Sequence, residues 1–108
     1  MGRLTTFVTV LMSAMAFGGT AVASASYISS NSGSANVRTC GSTNCGIVAR
    51  LGNGAGVNMT AWCDSQWVYP PASNYASPRW FKINWPVVGW VHSSLVASQQ
   101  SVGWNCYA

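Results

Sequence analysis

The 108-residue chain carries one histidine, His92, and one acidic residue, Asp64. Acid–base catalysis by paired carboxylates needs a second carboxylate, which is lacking. A cysteine nucleophile activated by His92 needs a free thiol, yet Cys40, Cys45, Cys63 and Cys106 form an even set in a small domain, the pattern of a disulfide framework. The spacing C-x4-C followed by two distant single cysteines does not match a zinc site, and no G-x-x-x-x-G-K loop is present to cradle phosphates. No metal or cofactor and no catalysis are therefore expected, and His92 reads as a surface residue. The chemistry left to this chain is recognition.

Disulfides require an oxidising compartment, and the N-terminus agrees. Met1 to Arg3 is a short basic start, Leu4 to Phe17 is an apolar run thinned by Thr and Ser, and Ala21-Val22-Ala23-Ser24-Ala25 offers small residues at signal-peptidase spacing. Residues 1–25 are expected to be a signal peptide cleaved after Ala23 or Ala25, with the mature protein secreted or wall-associated and no membrane contact afterwards. The apolar run falls short of the roughly 20 residues needed to span a bilayer. What remains is one small domain whose core is marginal without covalent support. Two disulfides would supply that support, but four cysteines allow three pairings, among which the spacing does not choose.

Only 6% of the residues are charged. After the signal, Arg38, Arg50, Arg79 and Lys82 stand against Asp64 and are scattered along the chain, so no nucleic-acid stripe is expected.

The elements that must position any site read as β. Residues 26–35, rich in Ser, Asn and Gly, are expected to be a flexible leader. Asn36-Val37-Arg38 and Ile47 to Leu51 are short strands, with Gly52-Asn53-Gly54 a turn. Val57, Met59 and Ala61 alternate with polar residues and Trp62, which predicts a half-buried strand with those three facing inward. Asp64 to Pro78, interrupted by Pro70-Pro71 and Pro78, is expected to be a long loop of the kind that often binds ligands. Arg79 to Ile83 and Gly89 to Val96 close the domain as two strands with a bend at Asn84-Trp85-Pro86. No stretch after the signal has helical periodicity over ten residues, so the fold class is all-β with about five short strands.

In order, Asn36-Val37-Arg38, the apolar strand Ile47-Val48-Ala49-Arg50-Leu51, the Gly turn Gly52 to Gly56, the strand Val57 to Trp62, Trp80-Phe81-Lys82-Ile83 and Gly89-Trp90-Val91-His92-Ser93-Ser94-Leu95-Val96 resemble the bacterial SH3-like domain. The resemblance spans residues 36–96. Asn74 to Phe81, with a terminal cysteine, is also similar to small secreted actinobacterial proteins that carry this domain. It implies a small, partly open SH3-like barrel over residues 36–108, including a tied C-terminal tail. The expected bridges are Cys40–Cys45, around Gly41 to Asn44, and Cys63–Cys106, the latter resting mainly on that likeness. Loop entropy assigns them roughly 2 and roughly 4 kcal/mol.

The family implies binding to bacterial cell-wall peptidoglycan or its peptides, with a monomer expected. A secreted effector, inhibitor or toxin that binds a protein is the alternative. Recognition of Pro-rich peptides, as by eukaryotic relatives, is not implied: Asn36-Val37-Arg38-Thr39-Cys40 replaces the groove-lining aromatic segment, and His92 and Leu95 replace the expected Pro and Tyr.

Alternation divides the closing strands into a core side, Phe81, Ile83 and Val91, and a contact side, Trp80, Lys82, Trp90 and His92. Burying Lys82 would be costly, which places Trp80 on the wetter side with it. The candidate ligand-binding residues are Trp80, Tyr75 and Trp90, with Trp67 and Tyr69 behind them on the long loop, and Lys82 and His92 beside them. Trp62 and Trp104 are expected to pack against the disulfides.

Overall fold

A computed structural model describes residues 25–108 and contains seven strands: β1 (Ser26–Ile28), β2 (Ser34–Arg38), β3 (Ile47–Gly52), β4 (Gly56–Val68), β5 (Ser77–Trp85), β6 (Gly89–His92) and β7 (Val96–Ala97). A 3-10 turn at Ser93–Leu95 joins the last two. The signal-peptide assignment lies almost wholly outside the described residues. All neighbouring strands pair antiparallel, in the order β3-β2-β6-β5-β4-β1-β7, and the sheet curls into a half-barrel. The all-β class and both disulfides, Cys40–Cys45 and Cys63–Cys106, are as expected, whereas the strand count is seven rather than five.

The inner face holds the main core, in which Ile28, Val37, Val57, Ile83 and Val91 are wholly buried and Met59, Phe81, Leu95 and Val96 nearly so. Phe81, Ile83 and Val91 thus take the side that alternation assigned them. The bend after β5 brings β6 so close to β2 that a Cβ on Gly89 would lie 2.5 Å from Val37 Cγ1 and 2.9 Å from the Arg38 carbonyl oxygen. Glycine is required there by space.

Three expectations need correction. The leader is not flexible: β1 lies between β4 and β7, and β2 begins at Ser34. Its Ser-rich composition hides one fully buried anchor, Ile28, worth about 1.5–3 kcal/mol of apolar burial. Both backbone groups of Ile28 are also bonded to one segment, its N–H donating to Ala55 O at 2.9 Å and its carbonyl accepting from Gly54 N–H at 2.8 Å.

The loop expected from Asp64 to Pro78 shrinks to residues 69–76, because β4 runs on to Val68 and pairs with β5 through Asp64↔Arg79 and Val68↔Ser77. Finally, Ala61 does not share the face of Met59. Met59 opposes Ile83 while Ala61 opposes the adjacent Lys82, so the extra residue, Thr60, makes a β-bulge that moves Ala61 to the Lys82 face, where it is still buried as expected, and brings Trp62 against the core.

Candidate binding groove

The bulge at Thr60 determines which side chains reach the barrel's inner rim. Beyond it, Trp62 opposes Phe81 and Asp64 opposes Arg79 across the β4–β5 ladder. Trp62 and Asp64 are two residues apart and share a face, so the Arg79 side chain meets both. Its guanidinium carbon lies 3.9 Å from the Trp62 ring centroid. Its Nε donates to Asp64 Oδ1 at 3.0 Å and its Nη2 to Oδ2 at 3.4 Å. Both partners are over 40% exposed, so the pair adds roughly 0–1 kcal/mol to stability. Its geometric effect is larger, since stacking and two-point bonding hold one cation and one anion side by side.

The C-terminal tail supplies the facing wall. Trp62 N–H donates to Gly103 O at 3.0 Å, Asn105 N–H donates to Trp62 O at 2.9 Å, and Cys106 is bonded to Cys63. Upstream, the Gln99 amide donates to the Ser93 and Val96 carbonyls at 3.1 and 3.2 Å. Gln100 accepts from Met59 N–H at 2.8 Å and donates to Asn58 at 3.2 Å.

Between the walls lies a groove of about 420 Å³, with Trp62, Asp64, Arg79, Gln99, Gln100 and Tyr75 among its lining. Tyr75 is half exposed and reaches the groove because its neighbour Asn74 pins the loop. The Asn74 side chain donates to Ser29 O at 2.8 Å and Ser94 O at 2.9 Å and accepts from Asn31 N–H at 2.8 Å. The groove therefore offers fixed opposite charges, an aromatic ring and side-chain amides, a set suited to a short peptide or a sugar–peptide conjugate.

Of the residues expected to bind, Tyr75 alone lines this groove. Trp80 and Trp90 are 2% and 6% exposed and form a second small core with Cys63 and Val68 on the outer face, against which Cys106 packs. Alternation gave them the correct side, but that side is roofed by the Cys40–Cys45 loop and the tail: a Cβ on Gly41 would stand 3.2 Å from Trp80 Cγ. The indole N–H of Trp80 donates to Gln66 O at 2.9 Å. Lys82 shares this face without being buried, because its stem crosses Trp90 and its ammonium lies 5.4 Å from that ring. The cost of burying a lysine therefore says nothing against burial of Trp80.

His92, expected at the surface, is buried. Its Nδ1 accepts from Ser94 N–H at 3.3 Å and faces Ser94 Oγ at 2.9 Å, while Nε2 lies 2.8 Å from Ser77 O. A ring nitrogen facing a carbonyl must donate, which gives the neutral tautomer protonated on Nε2. Burial holds His92 below the ordinary histidine value, opposed by the hydrogen bond to the Ser77 carbonyl. The edge of its ring meets Trp80 at 5.4 Å, so it packs rather than projects. Trp67 and Tyr69 are exposed and stack on each other at 5.9 Å, outside the groove.

Sequence reasoning missed Trp62, Asp64, Arg79, Gln99 and Gln100. The signal for the first three was the β4–β5 register, which was hidden once Asp64 was assigned to a loop. Among the described residues every cysteine is bonded, and no group of three metal-ligating side chains occurs. No helix among them is long and apolar enough to cross a membrane. No family model, curated protein or solved structure matches the chain.

Proposed function

We propose that this chain is a secreted, non-catalytic SH3-like module whose groove binds bacterial cell-wall peptidoglycan through its peptides. The observation that carries this reading is the Asp64–Arg79 pair held against Trp62 beside Tyr75. A peptide bearing a free amine and a free carboxylate finds a complementary charge for each there, with Tyr75 available to cover an apolar side chain or sugar face. The half-barrel closed by Gly89 to Val96 supports the SH3-like assignment, and the two disulfides fit an exported protein.

Co-sedimentation with purified peptidoglycan sacculi tests the reading. The wild-type protein is expected to be retained, and Tyr75→Ala and Arg79→Gln to lose about tenfold in affinity each. The absence of retention by sacculi from several bacteria would sink it. The exposed Trp67–Tyr69 stack favours a second reading, a secreted effector or inhibitor that binds a protein. Saturable binding to a protein partner that Trp67→Ala abolishes and Arg79→Gln leaves intact would establish that reading instead.

A further inference from the structure

Cations that are scattered in the sequence are gathered on the outer face of the folded sheet. Arg38 on β2 opposes Trp90 on β6, which opposes Lys82 on β5. Arg50 on β3 opposes Asn36 on β2, and its Nε donates to Asn36 Oδ1 at 3.1 Å. The one acidic side chain in the sequence, Asp64, is engaged with Arg79. Arg38, Arg50 and Lys82 consequently share a face with no carboxylate side chain to balance them.

Arg38 and Arg50 both line a cavity of about 240 Å³ that also takes in Ser30, Ser32, Ser34 and His92. Arg38 is oriented by its Nη1, which donates to Thr43 O at 3.1 Å and Cys45 O at 3.0 Å. Its Nε and Nη2, and both Nη atoms of Arg50, make no hydrogen bond to the described residues. The unengaged nitrogens of the two guanidinium groups carry more N–H donors than the two oxygens of a carboxylate use. They match a tetrahedral oxyanion. The cavity equals about eight water molecules' share of liquid volume, more than a bare phosphate needs. Trp80, the one aromatic ring lining the cavity besides His92, and the neighbouring Trp90 are buried, so neither presents a face on which a nucleobase could stack.

We propose that this cavity is a binding site for a phosphate ester of a sugar or polyol, separate from the groove and independent of the reading given to it. The guanidinium groups of Arg38 and Arg50 hold the phosphoryl oxygens, and the alcohol portion fills the remaining volume.

The test is a nuclear magnetic resonance titration of the folded, disulfide-intact chain with sn-glycerol 3-phosphate, at ionic strength held constant with sodium chloride. Saturable shifts are expected at Ser30 to Ser34 and at the Arg50 side chain, with inorganic phosphate binding several-fold more weakly. Arg50→Gln is expected to weaken binding at least about tenfold. Lys82→Gln and Tyr75→Ala, outside the cavity, are expected to change it less than about twofold. Arg38→Gln also removes the anchor of the Cys40–Cys45 loop, so Arg50→Gln, on an exposed side chain, is the deciding variant. The proposal is overturned by any of three results: no saturable shift, equal weakening by Lys82→Gln and Arg50→Gln, or binding to phosphatidylglycerol vesicles without binding to the free ester.

Discussion

Removal of the Cys63–Cys106 bridge tests how the groove and the fold depend on each other. The bridge spans a separation of 43 residues, against 5 for Cys40–Cys45. Loop-closure entropy gives it about 4 kcal/mol and the short bridge about 2 kcal/mol. Besides this bridge, the attachments of the tail include two backbone bonds at Trp62, the Gln100 bonds to Met59 and Asn58, and a bond from Ser26 Oγ to Ser98 O. The Cys40–Cys45 loop keeps the two Arg38 bonds and its contact with Trp80 when its own bridge is removed.

In guanidinium chloride, where a domain of this size unfolds with a slope of about 2 kcal/mol per molar, the Cys63→Ala/Cys106→Ala variant should lose about 2 M in midpoint. The Cys40→Ala/Cys45→Ala variant should lose about 1 M. The assay is equilibrium denaturation followed by tryptophan fluorescence, with groove binding measured on the fraction that remains folded. The long-bridge variant should also lose groove affinity, because the tail forms one wall. A short-bridge variant as destabilised as the long-bridge one would refute the entropy argument, and unchanged groove affinity in the long-bridge variant would refute the role of the tail.

Gly89→Ala forces a Cβ to within 2.5 Å of Val37 and should destabilise the domain by about 1–3 kcal/mol, measured by thermal or chemical unfolding. Asn74→Ala removes the side-chain bonds to Ser29, Ser94 and Asn31, should cost about 1–3 kcal/mol, and should raise hydrogen exchange across residues 69–76. His92 is held neutral in the folded state, so below 6.5 the unfolded chain binds the extra proton first. Stability should fall as the pH drops through 6.5 toward the lowered folded value and level off below it, whereas His92→Gln should lose this component of the slope. Identical pH profiles for the two proteins would contradict the burial of a neutral ring.

Much of the core was legible locally. Phe81, Ile83 and Val91 lie on the predicted side because strand geometry alternates side chains whatever surrounds the strand. The site was less legible, since only Tyr75 among the expected residues reaches the groove. The Asp64–Arg79–Trp62 cluster depends on a strand that continues into a segment whose prolines suggested a loop. Pro70 and Pro71 lie just beyond the end of that strand, and Pro78 lies within β5 near its start, so the ladder can still form.

By itself the sequence determined the all-β class and the direction in which each closing-strand side chain points. Both expected disulfides, Cys40–Cys45 and Cys63–Cys106, are present in the fold. Only the tertiary structure decided whether the outward direction was wet. Trp80 and Trp90 are roofed by the Cys40–Cys45 loop, and the second core includes Cys63 with Cys106 of the distant tail packed against it. The same folding turns a Ser-rich leader into a strand anchored by Ile28 and brings Arg38, Arg50 and Lys82 onto one face. Side-chain direction follows from the covalent geometry of neighbouring residues, whereas burial and charge clustering are sums over segments far apart in the chain.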